Sequence, residues 1–294
     1  MANKQEIKHH IKAVQQTRKI TNAMYLISSA AIKKMMPQVD YNRRYLDHIQ
    51  AAMRDILANT GGYEHQYLKA DYQGLPTYIV ITGDKGLAGG YNSEILRFAD
   101  QEIKEREKVR IISLGNTGTR YYHQTSHELV SATNGSSVAP SLNLARHLSQ
   151  DIFRDYEAGT TQEIRLIYTQ YLNTHTCQPT IKQLLPLNIQ DFREENKSLK
   201  TEMIYHPSAA ELFKLLVPQY TTGLIYAALM QAYASEHCVR TESMQSATRN
   251  ADELLKKLNI RYNIARQSAI TQELSEINNS APYGGSRKVN NEGR

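Results

Sequence analysis

The stretch that most constrains the fold is residues 224–281, LIYAALMQAYASEHCVRTESMQSATRNADELLKKLNIRYNIARQSAITQELSEINNSA, which contains neither glycine nor proline. Small and apolar side chains return along it every three or four residues: Met244, Ala247, Ala251, Leu254, Leu258, Tyr262, Ala265 and Ala269, continued by Ile270, Leu274 and Ile277. The spacing predicts one uninterrupted helix. At 1.5 Å per residue it would span about 85 Å, more than the width of a domain this size. A helix that projects with a narrow, alanine-rich apolar seam needs a second helix against it, which is the pattern of a coiled coil.

The N-terminal region supplies that second helix. Residues 1–36 again lack glycine and proline, and Ile7, Ile11, Val14, Ile20, Ala23, Met24, Ile27 and Ala31 recur at helical spacing. Pro37 is expected to bend or interrupt the helix, and a second amphipathic run (Tyr41, Tyr45, Ile49, Ala52, Met53, Ile56) continues to the Gly61-Gly62 stop. Lys4, Lys8, Lys12, Arg18, Lys19, Lys33 and Lys34 stand against Glu6 in the first half, a charge density that favours an acidic surround.

Between the arms the pattern becomes that of alternating strands and helices. Residues 78–82 (YIVIT), 109–114 (VRIISL) and 163–171 read as strands, with 179–187 as a possible fourth. Residues 93–106, 116–124 and 140–157 read as helices, the last with Pro140 fitting its first turn. Such alternation predicts a largely parallel sheet in an inserted, Rossmann-like α/β domain. Ser208 followed by Glu211 is a capping box that starts the returning helix, and Pro218 is expected to break or kink it. The expected architecture is α plus α/β, a long antiparallel coiled coil of the terminal helices with an inserted domain. The divisions fall at 1–62, 63–206, 207–281 and a polar, disordered tail at 282–294.

Composition narrows the function more by exclusion than by assignment. The net charge of +6 and a pI near 9.1 suit nucleic acid, anionic membrane or an acidic protein partner equally. Cys177 and Cys238 are far apart in sequence and form no CxxC pair, so neither a disulfide framework nor a zinc site is indicated. No apolar run reaches the ~18 residues of a membrane span, and the opening MANKQEIKHH lacks the apolar core of a signal peptide. The GDKGLAGG segment follows a strand as a phosphate cradle would, but Gly83, Gly86, Gly89 and Gly90 fit neither GxGxxG nor GxxxxGK[ST]. A tight strand-to-helix connection is the expected role. His9-His10 and His237-Cys238 are adjacent pairs whose side chains diverge on a helix, and no nucleophile or metalloprotease signature is present.

Four blocks then carry a resemblance: KITNAMYLISSA (19–30), ITGDKGLAGGYNSEIL (81–96), ASEHCVRTESMQSATRNADELLKKL (234–258) and YNIARQSAITQELSEI (262–277). Together, in order and spacing, they resemble the gamma subunit of the bacterial F-type ATP synthase. The resemblance implies a non-catalytic central-stalk rotor whose coiled coil turns inside a hexamer of alpha and beta subunits. It further implies that the α/β domain engages the epsilon subunit and the membrane c-ring, coupling ion flow to ATP synthesis or hydrolysis. Carried over by position, the torque and catch contacts with beta subunits would be Lys19, Ile20, Thr21, Met24, Arg240, Arg266, Gln267, Thr271 and Glu273. No cofactor, metal or nucleic-acid partner is implied, and the chain would sit at the cytoplasmic face of the cell membrane, held there only through the complex. This sequence departs from the family pattern at Tyr25, where a charged residue is common, and at Ala88, where the GLCGG motif has cysteine. No cysteine-bearing insertion like that of the chloroplast relatives is present. Two competing readings are a basic coiled-coil protein that binds nucleic acid, testable by salt-dependent DNA binding, and a nucleotide-dependent α/β enzyme, testable by ATP or NAD titration.

Overall fold

The computed structural model describes residues 4–59, 66–68, 74–133, 140–174, 176–192, 205–206 and 208–280. The expected tail at 282–294 lies outside them. Long helices α1 (Lys4–Asn59) and α5 (Ala209–Ser280) enclose, in sequence, five strands and three shorter helices. By compactness the chain divides into two units, Met1–Ala23 with Gln245–Arg294, and Met24–Met244.

In the first unit the two long helices run antiparallel. Ile7 and Val14 of α1 bury against Ala251 and Leu258 of α5, with Ile11, Leu255, Tyr262 and Ala265 packed at the margin. Thr21 Oγ1 meets Thr248 Oγ1 at 2.7 Å, and the Arg18 guanidinium pairs with Asp252. Of the apolar residues among these, Ile7, Val14, Ala251 and Leu258 are the buried ones, so the seam is narrow.

The buried positions of α1 correct the expected seam. They fall at Ile7, Val14, Thr21, Ser28, Met35, Ile49 and Ile56, a seven-residue spacing that the partly buried Asn42 continues, and at Met53 besides. Ile20 and Ile27, which the sequence pattern assigned to the seam, are 61% and 65% exposed. The repeat admits Thr21 and Ser28 because small side chains let helices approach closely, and it turns the larger isoleucines outward.

Neither proline ends its helix. Pro37 lies inside α1 and Pro218 inside α5. An interior proline costs ~3 kcal/mol, and each helix is anchored on both sides of it by buried residues. Met35 with Ile49 and Met53 flank Pro37, and Val217 with Tyr220 flank Pro218. Thr222 Oγ1 also donates to the Pro218 carbonyl at 2.7 Å. Helix α5 starts at Ala209, where Ser208 Oγ accepts the Glu211 amide at 3.2 Å.

The second unit is built on a five-stranded sheet of order β3-β2-β1-β4-β5. Its strands are β1 (Thr77–Ile81), β2 (Arg110–Leu114), β3 (Glu128–Thr133), β4 (Ile164–Asn173) and β5 (Thr176–Leu185). The first four are mutually parallel, and β5 returns antiparallel to β4, so the sheet is mixed. Strand β3 is absent from the sequence-based reading, because HELVSAT shows no strong β-branched run. All five residues of β1 and of β2 are buried, as strands covered on both faces should be. One face, with Tyr78, Val80 and Ile111, packs on α2 (Tyr91–Ile103) and on Tyr122 of α3 (Asn116–Tyr122). The other, with Ile79, Ile81 and Ile112, packs on α4 (Leu142–Glu157) and on Ile49, Met53, Phe213, Ile225 and Leu229 of the long helices.

Candidate interaction surfaces

The far part of α5 in the first unit is a helix whose surface is turned outward. From Arg266 to Ile277 every residue is exposed except the half-buried Ala269. Ile270, Leu274 and Ile277 are 48%, 62% and 66% exposed and stand at i, i+4 and i+7, one stripe of a helix. Gln267 and Thr271 are also four apart and border that stripe, with Thr271 Oγ1 donating to the Gln267 carbonyl at 3.0 Å. Arg266 and Glu273, seven apart, lie on its other margin. An apolar stripe that is exposed among the described residues and bordered by polar ones has the composition of a contact surface.

Lys19 and Ile20 are exposed on α1, beside the buried Thr21. They stand outward at the level where their neighbours Thr21 and Arg18 meet Thr248 and Asp252 of α5, about 20 Å of helix from Arg266. The sequence-predicted residues of this unit therefore form two surfaces on the paired helices.

In the second unit, Met24 is half-buried and Arg240 almost wholly buried. The Arg240 guanidinium pairs with Glu236 one turn earlier on α5, their side chains 6% and 9% exposed, and Nη2 also reaches the Gly86 carbonyl at 3.4 Å. The glycine loop between β1 and α2 is thus seated on α5. A Cβ on Gly83 would lie 3.0 Å from the Glu236 carboxylate, and one on Gly89 would lie 2.8 Å from Ser243 Oγ. Leu87 sits at the loop's tip with φ of 64° and 61% exposure. Sequence reading missed Glu236 and Leu87; the Glu236-to-Arg240 spacing of four was the available signal for the first.

The first amide of the loop and two amides at the start of α3 are already engaged. Gly83 N–H donates to Asn92 Oδ1 at 2.8 Å, Asn116 N–H to Asp84 Oδ1 at 2.7 Å, and Gly118 N–H to Thr82 Oγ1 at 2.9 Å. The carboxylate of Asp84 occupies the place at the start of α3 where an anion would otherwise be attracted. Near the loop, burial first, then the charges of Arg240 and Lys85, push the His237 imidazole down to about 4, so it is neutral at pH 7. Among the described residues no three His, Cys, Asp or Glu side chains stand together as a metal site. The arrangement offers contact surfaces and a fixed loop.

Known proteins agree with this architecture. The ATP synthase family model matches residues 3–282. The ATP synthase gamma chain of Ruminiclostridium cellulolyticum is 36% identical over 283 residues, covering 94% of this chain and 96% of the relative. That of Caldanaerobacter subterraneus subsp. tengcongensis is 36% identical, covering 93% and 97%. The sodium-ion-specific gamma chain of Acetobacterium woodii is 30% identical, covering 98% and 99%. A chain in the OSCP/F1/c-ring structure of the Euglena gracilis mitochondrial ATP synthase shares the fold, with a TM-score of 0.63 at 15% identity over 98% of this chain and 99% of that one. Matched over nearly its whole length, the chain belongs to the ATP synthase gamma-chain family, the non-catalytic central-stalk rotors of F-type ATPases.

Proposed function

We propose that this chain works as the rotor between the catalytic F1 part of an ATP synthase and its membrane c-ring, transmitting torque through differential contacts along α1 and α5. The supporting observation is the exposed segment of α5 from Arg266 to Ile277, an apolar stripe bordered by Gln267 and Thr271. Beta subunits of the alpha/beta hexamer bind it, and also meet Lys19, Ile20, Met24 and Glu273, in some rotor angles and release them in others. Thr21 and Arg240 belong to the same set by holding the helix pair and the glycine loop in place. The epsilon subunit and the c-ring engage the sheet-containing part. No helix among the described residues is long and apolar enough to cross a membrane. In this reading the chain is held at the cytoplasmic face through the complex.

Arg266 presents a planar fork that can hold a carboxylate or backbone oxygen in one orientation. If such bonds form only at some angles, losing them alters the barrier between angles more than the affinity of assembly. Arg266→Ala with Gln267→Ala should leave the complex assembled and lower its turnover. One charge-assisted bond of ~1.5–3 kcal/mol sets a ceiling of roughly 10- to 150-fold. Purified double-mutant complex with unchanged subunit content and unchanged ATPase and synthesis rates would overturn the assignment.

A further inference from the structure

The two cysteines, distant in sequence, meet in the fold. Strand β5 begins at Thr176, and Cys177 lies opposite Tyr171 of β4 in the antiparallel hairpin. Helix α5 docks on that hairpin through one line of residues at i, i+4 and i+7. Gln231 Oε1 accepts the Tyr171 amide at 2.9 Å, Ser235 Oγ donates to the Thr169 carbonyl at 3.0 Å, and Cys238 Sγ donates to the Thr174 carbonyl at 3.1 Å. From the other side, Cys177 Sγ lies 3.9 Å from the Ser235 carbonyl, one turn before Cys238. Each sulfur is within hydrogen-bonding reach of the other, and both are free thiols.

We propose that Cys177 and Cys238 are a disulfide-forming pair, a redox-operated clasp between the β4–β5 hairpin and α5. The flanking bonds from Gln231 and Ser235 already hold helix and hairpin together, so linking the sulfurs asks little movement of either backbone. Cys177 is half-buried and Cys238 is 3% exposed, so Cys177 is the thiol that a reagent meets first. The oxidant is a low-molecular-weight disulfide, R–S–S–R. The Cys177 thiolate attacks one of its sulfurs, breaking the S–S bond and releasing R–S⁻. The Cys238 thiolate then attacks the Cys177 sulfur, forming the intrachain bond and expelling the second R–S⁻. Two protein thiols lose two electrons, the reagent gains them, and the two protons end on two molecules of R–SH. Burial raises both thiols above the usual cysteine range, Cys238 up to about 12. The clasp therefore closes slowly at neutral pH and faster as the solution becomes alkaline.

The test uses the full chain, folded, treated with oxidised glutathione at mildly alkaline pH. Both thiols should disappear together, and peptide mapping should find Cys177 joined to Cys238 within one chain, with reversal by dithiothreitol. Cys177→Ser should form no link and should carry glutathione on Cys238 at most. Wild-type protein that keeps both thiols, carries glutathione on each cysteine without a link, or links them only after denaturation would overturn the proposal.

Discussion

The Glu236–Arg240 pair is where a small change should have the largest effect on the seating of the glycine loop. Arg240→Met would leave the Glu236 carboxylate, 9% exposed, without its cation and walled in by Gly83. Breaking a buried ion pair from one side costs ~3–5 kcal/mol, because the remaining charge stays desolvated. Glu236→Leu strands the guanidinium in the same way. Replacing both, Glu236→Leu with Arg240→Met, removes the desolvation cost together with the attraction and should lie within ~1–2 kcal/mol of the wild type. Cys238, between the two partners on α5 and 3% exposed, serves as the probe. In a Cys177→Ser background, its reaction with a thiol reagent under native conditions reports the free energy of local opening. Each single change should accelerate labelling on the order of 100- to 4,000-fold, and the double change by at most about 5- to 30-fold. Single changes that accelerate labelling less than about tenfold, or a double variant as fast as the faster single one, would refute the buried-pair reasoning.

Two further perturbations concern the same region. The folded pKa of His237, about 4, lies below its ordinary 6.5, so the unfolded chain takes up a proton first as pH falls. The stability this residue contributes above pH 6.5 is therefore lost progressively down to about 4 and changes no further below it. His237→Phe should flatten the fall in urea midpoint between about pH 6.5 and 5, and an unchanged slope would refute the assignment. Gly89→Ala should lower the thermal midpoint, because φ is +51° and the new Cβ would lie 2.8 Å from Ser243 Oγ. Gly86→Ala meets nothing within 4 Å and should be neutral or slightly stabilising, by up to ~1 kcal/mol, so equal losses at the two glycines would show that the loop is not seated as described.

The long-range order of the fold was legible because periodicity is a local property that survives in any context. The unbroken helical pattern from 224 as far as 280, the strands read at 78–82 and 109–114, and the Ser208 cap all appear as elements in the structure. At the two prolines, where the pattern allowed either a break or a bend, the helices do not end, since the rule that prolines break helices weighs only local bonds. At Pro37 and Pro218 buried anchors on both sides outweigh a cost of ~3 kcal/mol. Strand β3 escaped notice because HELVSAT takes its strand state from pairing with β2, and that pairing is invisible in the segment by itself. For the candidate surfaces, the sequence pointed to the exposed positions on α5 from Arg266 to Glu273. It could not show that Arg240 is buried, nor that its partner is Glu236.

The two helical arms, the inserted strand–helix alternation and a family resemblance carried by four separate blocks are all readable along the chain. Each rests on residues near one another in the chain, whose spacing fixes helix or strand whatever lies opposite. Which stripe of α1 faces inward is instead a matter of packing. The choice of Thr21 and Ser28 over Ile20 and Ile27 depends on how closely a second helix approaches, a quantity set by the partner's side chains. Tertiary structure likewise brought Cys177 beside Cys238, because the hairpin's end and the helix meet through bonds from Gln231 and Ser235 to backbone far away in sequence. Proximity of that kind arises from packing, and no local pattern of residues encodes it.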